Sequence, residues 1–144
     1  MSAEKHRDVY RRAIEAVGRG DGDAFDALLA SDMTDHNPMP GQPPGREGFK
    51  HWMRSVRTSL PDLTGSVEDV VAEGDRVVGR ITWAGTHRGT FAGVAATGKP
   101  VRFTAIHIVR LADGRIAEWW GAASLLDALE QIGARSGTRR SASI

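Results

Sequence analysis

The sequence predicts an α+β fold, with helices first and a curved antiparallel sheet after them. Three observations carry this expectation. Apolar residues recur at helical spacing up to Pro61 and alternate with polar residues beyond it. The alternating runs are joined by short turn signals, Glu73-Gly74-Asp75 and Ala112-Asp113-Gly114, the second holding the Asp-Gly pair that favours hairpins. A last helical stripe follows the sheet and stops at Gly133. A sheet curled around helices in this order leaves a cavity between the two layers.

The first helix is expected over residues 3–17, where Val9, Tyr10, Ala13, Ile14 and Val17 form one stripe, and the GRGDG stretch ends it. A short second helix places Phe25, Leu28 and Leu29 on one face, with Asp21 or Asp23 as its cap. Residues 31–48 hold four of the six prolines and read as a loop. A third helix covers residues 46–60, with Phe49, Trp52, Met53 and Val56 as its stripe, and Pro61 ends it. Strands are expected at residues 65–72, 76–83, 102–111 and 115–121, and residues 90–94 are compatible with a further short one. The final helix spans residues 124–132, with Leu125, Leu126, Leu129 and Ile132 in register. One domain then occupies residues 1–134, and residues 135–144 are expected to be a disordered basic tail.

Composition narrows the function classes. The chain has 144 residues, 40% hydrophobic and 26% charged, as an ordinary globular domain does. The absence of cysteine removes disulfides, thiol nucleophiles and Cys-ligated metals. Arg135, Arg139 and Arg140 supply three of the 19 basic residues, so the rest of the chain has 16 against 18 acidic ones. Without a basic face, nucleic acid is not an expected partner. The charged start MSAEKHRDVYRR reads as no secretory signal, and no run is apolar enough for a membrane, so the expected compartment is cytoplasmic.

The chemistry-bearing residues are few. His107 stands in the row Val101, Phe103, Ala105, His107, Val109, all on one face of a strand. It reads either as a core histidine bonded to a backbone group or as a pocket acid/base, since imidazole titrates near neutrality. On the next strand Trp119 and Gly121 share one face and Glu118 and Trp120 the other, so one tryptophan lines the interior while its neighbour meets a helix or another subunit. Bulky aromatics with a placed polar group suit a flat apolar ligand. Asp35, His36 and Asn37 precede a proline turn and read as turn residues or as the polar rim of the cavity; His87 sits at a strand end and reads as rim as well. No metal-ligand spacing, phosphate loop, dinucleotide fingerprint or GxSxG elbow occurs. The single tyrosine, Tyr10, lies on the buried stripe of the first helix, which leaves a tyrosine-based oxyanion hole unsupported.

The strings GQPPGREGFK, AEGDRVV, THRG and DGRIAEWW, within a similarity covering residues 5–134, resemble the SnoaL-like polyketide cyclases of the nuclear-transport-factor-like superfamily. The resemblance implies an α+β barrel: three to four helices packed on a curved antiparallel sheet around a cone-shaped pocket. It also implies that members are often oligomers and need no metal or organic cofactor; the outer sheet face with Ile106, Ile108 and Trp120, apolar for a solvated surface, makes a homodimer or higher homo-oligomer the expected assembly. In the cyclases it implies an aldol ring closure with an aspartate as acid/base, but the matching position here is Gly121. A polar residue two before the strand histidine is replaced by Ala105, while His107 is kept and Asn37 stands where the family often has a polar pocket residue. An aldol closure needs a base for the proton alpha to a carbonyl, and glycine offers none.

Another branch of the family is similar to enzymes proposed to hydroxylate anthracyclines without flavin, haem or metal. There the reduced aromatic substrate supplies the electrons and a separate reductase supplies the reduced substrate. The expected function is therefore cofactor-independent hydroxylation of an aromatic polyketide, with aldol cyclisation as the alternative and non-catalytic binding as a further one. The expected site has His107 as the catalytic residue, Asp35, His36, Asn37, Trp52, Trp83, His87, Phe103 and Trp119 as substrate-binding residues, and no metal.

Overall fold

The computed structural model of the chain describes residues 2–133, so the tail expected at residues 135–144 lies outside the described residues. Helix α1 (Ala3–Arg19) starts where the Ser2 side chain accepts the Lys5 N–H at 3.2 Å and ends at Gly20, in the left-handed region with φ 68°. Its stripe of Tyr10, Ala13, Ile14 and Val17 is buried. The second helix is shorter than its apolar pattern implied: a 3-10 turn (Gly22–Ala24) capped by Asp21 leads into α2 (Phe25–Leu28). Helix α3 (Gly45–Ser59) follows the proline-rich loop, and α4 (Leu125–Gln131) closes the described chain.

The sheet has five strands in the order β1-β5-β4-β3-β2: β1 (Leu29–Asp35), β2 (Thr64–Glu73), β3 (Arg76–Thr86), β4 (Pro100–Ala112) and β5 (Arg115–Ala123). It stays open, with β1 and β2 at its edges. Two expectations are corrected here. The sheet is mixed, because β1 runs parallel to β5. Residues 31–35 belong to that strand rather than to a loop, and Leu29 opens it rather than closing a helix. Leu29 and Met33 give β1 its buried face, at 0% and 1% exposure, while Ser31, Asp32 and Thr34 stay exposed. Those polar residues mimic turn chemistry, and the pairing partner lies more than eighty positions away, so no local signal marks the strand. Residues 90–94 form a single isolated bridge, Phe91 to Val94, instead of a strand.

Beyond the end of β5 the free edge of β4 is satisfied by side chains. The Gln131 side chain accepts the Arg102 N–H and donates to the Arg102 carbonyl, both at 2.6 Å, and Ser124 Oγ accepts the Thr104 N–H at 2.9 Å. This covers edge groups that would otherwise template another chain. No helix among the described residues is long and apolar enough to cross a membrane.

The register across the middle of the sheet positions the site. His107 on β4 pairs with Gly79 on β3 and with Gly121 on β5. The inner face therefore carries no side chain on either flank of the imidazole. Tyr10 of α1 occupies the Gly79 side: a Cβ at residue 79 would lie 2.3 Å from Tyr10 Cε2, Cζ and Oη. Gly79→Ala is expected to displace the tyrosine ring and destabilise the protein by about 1–3 kcal/mol. A urea midpoint unchanged from that of the unsubstituted protein would contradict this packing.

Candidate functional site

His107 is 9% exposed and projects from the middle of β4 into the layer between sheet and helices. Its Nδ1 lies 2.8 Å from Tyr10 Oη, a buried hydrogen bond between groups 97 positions apart in sequence. Burial lowers the imidazole from its ordinary 6.5 to about 4. The same burial pushes the Tyr10 phenol well above its ordinary value, so it keeps its proton. Near neutral pH the pair is uncharged.

A row of aromatic rings leads away from His107. Its centroid lies 4.9 Å from the Trp119 ring, which lies 4.8 Å from Phe49 on α3, which in turn lies 5.3 Å from Trp52. Trp119 is 5% exposed and Trp52 is half-buried. These spacings suit edge and tilted ring contacts.

On the β5 side of His107, Gly121 leaves the flank without a side chain. A Cβ at residue 121 would lie 3.1 Å from His107 Cδ2, 3.6 Å from Trp119 Nε1 and 3.8 Å from His107 Nε2. Asn37 reaches this edge from the loop after β1, where its Oδ1 accepts the Gly121 N–H at 2.9 Å. The two neighbouring carboxylates are committed elsewhere. Asp35 accepts the Asn37 N–H at 3.0 Å and Gln42 Nε2 at 2.9 Å, which fixes the loop. Glu118 lies on the outer face, where it accepts from Arg110 and sits 3.0 Å from His36 Nε2. The Arg110 hydrogen bond, then that of His36, holds the Glu118 carboxyl below its usual range.

The structure thus brings His107, Trp119 and, through Phe49, Trp52 together, with Asn37 at the opening. The other residues expected at the site stand apart. His36 stacks on Trp120 on the outer face of the sheet, rings 4.4 Å apart and 2° from parallel, because β1 continues alongside β5 there. His87 is fully buried beyond the end of β3, bonded through Nδ1 to Thr97 Oγ1 at 2.8 Å and through Nε2 to the Val94 carbonyl at 3.1 Å, and is not on the rim. Trp83 and Phe103 pair with each other on the inner face, four residues along each strand from Gly79 and His107. Four residues of strand is about 13 Å. Two surface clefts, about 560 Å³ beside β1 and the proline-rich loop and about 530 Å³ beside Lys99 and Gln131, are not lined by His107. Sequence reasoning missed Tyr10 and Gly79. The signal available for them was a lone tyrosine on a buried stripe and a glycine inside a strand, which often marks a close approach. No group of three or more metal-ligating side chains occurs among the described residues.

A family model described as SnoaL-like polyketide cyclase matches residues 7–132, and the chain belongs to that family. Solved structures support the same fold. TsrD from Streptomyces laurentii is 28% identical, over 93% of this chain and 98% of that one, with a TM-score of 0.86. IdmH from Streptomyces antibioticus, described as a candidate polyketide cyclase, is 34% identical over 89% and 98%, with a TM-score of 0.79. AclR from Streptomyces galilaeus, described as a candidate hydroxylase, is 26% identical over 92% and 98%, with a TM-score of 0.80. A comparison with curated proteins gives no match.

The histidine makes stability depend on pH. Its unfolded value is 6.5 and its folded value about 4. The unfolded state therefore binds the extra proton between these limits. Stability is full above pH 6.5 and falls as pH drops towards 4, by about 3 kcal/mol in all. The unfolding free energy should fall by about that much more in the unsubstituted protein than in His107→Gln, measured by urea titration from pH 7 to pH 4. Parallel pH profiles would mean the imidazole is not held neutral by burial.

Proposed function

We propose that this protein is an aromatic polyketide tailoring enzyme that hydroxylates a polycyclic substrate without a cofactor. The observation that carries this reading is Gly121, the β5 register partner of His107, which leaves that flank of the imidazole without a carboxylate. Asp35 and Glu118 are each held by other partners, so no carboxylate stands ready to take a proton alpha to a carbonyl. Such a base is worth typically 10²–10⁴-fold in rate. Hydroxylation of an electron-rich ring does not need it. A dihydroquinone reacts with dioxygen to give a hydroxyquinone and water. One oxygen atom becomes the new hydroxyl, and two electrons and two protons from the dihydroquinone reduce the other to water. The protein binds the ring against Trp119 and Trp52, excludes bulk water and hydrogen-bonds the oxygen that carries charge. A separate reductase supplies the reduced substrate in the cytoplasm.

The test is mass spectrometry of a reduced anthracyclinone incubated with the protein under ¹⁸O₂ and without oxygen. The expected product gains one labelled oxygen, only in the presence of both gas and protein. Undiminished product without oxygen would overturn the reading.

The second reading, aldol cyclisation, is favoured by the similarity to IdmH and by the space at residue 121. A Cβ at 121 would lie 3.1 Å from His107 Cδ2, so a side chain there requires the imidazole to give by a few tenths of an ångström. Under the hydroxylase reading, Gly121→Asp should gain ring closure of an open polyketide ester, seen as an isomer of equal mass. Ring closure by the unsubstituted protein at a rate matching that of the variant would instead favour a native cyclase. Tight ligand binding with neither product would favour a non-catalytic binding protein.

We also propose a homodimer through the outer sheet face. Val71, Val78, Ile108 and Trp120 are successive register partners there, and Val71 and Ile106 are more than half exposed. The flanking pairs Arg80–Asp69 and Arg110–Glu118 carry both signs of charge, which suits a self-complementary contact. Sedimentation at micromolar concentration should give a dimer; a stable monomer contradicts it.

A further inference from the structure

The hydrogen bond between Tyr10 and His107 decides which imidazole nitrogen carries the proton. Tyr10 is fully buried and its hydroxyl has no acceptor other than His107 Nδ1 among the described residues. If Nδ1 were the protonated nitrogen, it would donate to the phenol oxygen and leave the phenol O–H buried and unbonded. An orphaned buried donor costs about 1–3 kcal/mol. With the phenol donating to Nδ1, no buried donor is orphaned there, and the imidazole proton sits on Nε2.

That nitrogen lies on the Gly121 side of the ring. Trp119 Nε1, which can only donate, faces the same place: the two nitrogens lie 3.8 and 3.6 Å from the point where a residue 121 Cβ would be. Their side chains are 9% and 5% exposed, and neither nitrogen has a protein acceptor among the described residues. Among the described residues the only fully buried side-chain nitrogen without a hydrogen-bond partner is Arg46 Nε, beside Asp26, so the two donors near Gly121 are not fully sealed. Two neutral N–H groups held by packing near one point beside Gly121 form a donor pair of the kind that stabilises developing negative charge on oxygen. No carboxylate faces the gap to compete, since Asp35 and Glu118 bond elsewhere.

We infer that His107 Nε2–H and Trp119 Nε1–H bind the ionised enol or phenol oxygen of a flat aromatic ligand beside Gly121, with Tyr10 as the positioning residue that fixes the histidine tautomer. The inference rests on the proposed function only for the aromatic class of ligand. It gives His107 the role of donor rather than base.

The probe is 2-hydroxy-1,4-naphthoquinone, whose enol and enolate absorb differently, with 1,4-naphthoquinone as the comparison that lacks the acidic oxygen. The protein should bind the first as its enolate and lower its apparent ionisation pH. Trp119→Phe keeps an aromatic ring and loses the N–H. It should weaken enolate binding about tenfold, the size expected for one hydrogen bond to a charged group, and leave 1,4-naphthoquinone nearly unchanged. Ring ¹⁵N NMR of the unsubstituted protein should show Nε2 bearing hydrogen and Nδ1 bare, and Tyr10→Phe should lose that single-tautomer signature. Equal losses for both quinones overturn the inference, and so does a hydrogen on Nδ1, which is read on the unsubstituted protein even if the Trp119 variant is too unstable to use. These readouts involve no turnover, so failure to incorporate oxygen sinks the hydroxylase reading and leaves the donor pair standing.

Discussion

The imidazole of His107 has a glycine opposite it on each neighbouring strand, Gly79 on β3 and Gly121 on β5, and the interior of the protein is organised by how those two spaces are used. Tyr10 fills the first from helix α1 and takes up Nδ1 in doing so. The second carries no side chain and lies between Trp119 and the Asn37 amide that bonds Gly121. Helix-to-sheet packing, histidine ionisation and the open gap are therefore one arrangement. A methyl group at Gly79 would fall 2.3 Å from the tyrosine ring and so disturb the packing on which the other two rest.

The outer face depends on a second arrangement, centred on β5. Trp120 stacks with His36 and lies under the Arg76 guanidinium at 5.1 Å, while Glu118 joins His36 to Arg110. These contacts tie the end of β1 to the middle of the sheet. They also carry the chain after β1 towards the inner edge, where Asn37 accepts the Gly121 N–H. A polar cluster on one face of the sheet thus places a polar side chain at the opening on the other.

Much of this was legible from the sequence. The period change at Pro61, the two tight turns and the final helical stripe gave the order of elements. The alternation on β4 and β5 put His107, Trp119 and Gly121 on one face, because side chains in a strand reverse direction at each residue. What could not be read were the partners of those residues. Asp35, His36 and Asn37 adjoin in sequence, yet they serve the loop, the outer face and the inner edge respectively. His87 looked like a rim residue and is buried with both ring nitrogens bonded.

By itself the sequence determined the helices, four of the five strands with their faces, and the absence of a carboxylate at residue 121, because these follow from local periodicity and residue identity. Tertiary structure alone decided that β1 joins the sheet in parallel, that Gly79 and Gly121 flank one histidine, and that Tyr10 bonds it. Each of these brings together groups far apart along the chain, and strand register and helix packing set such pairings, which no local pattern encodes.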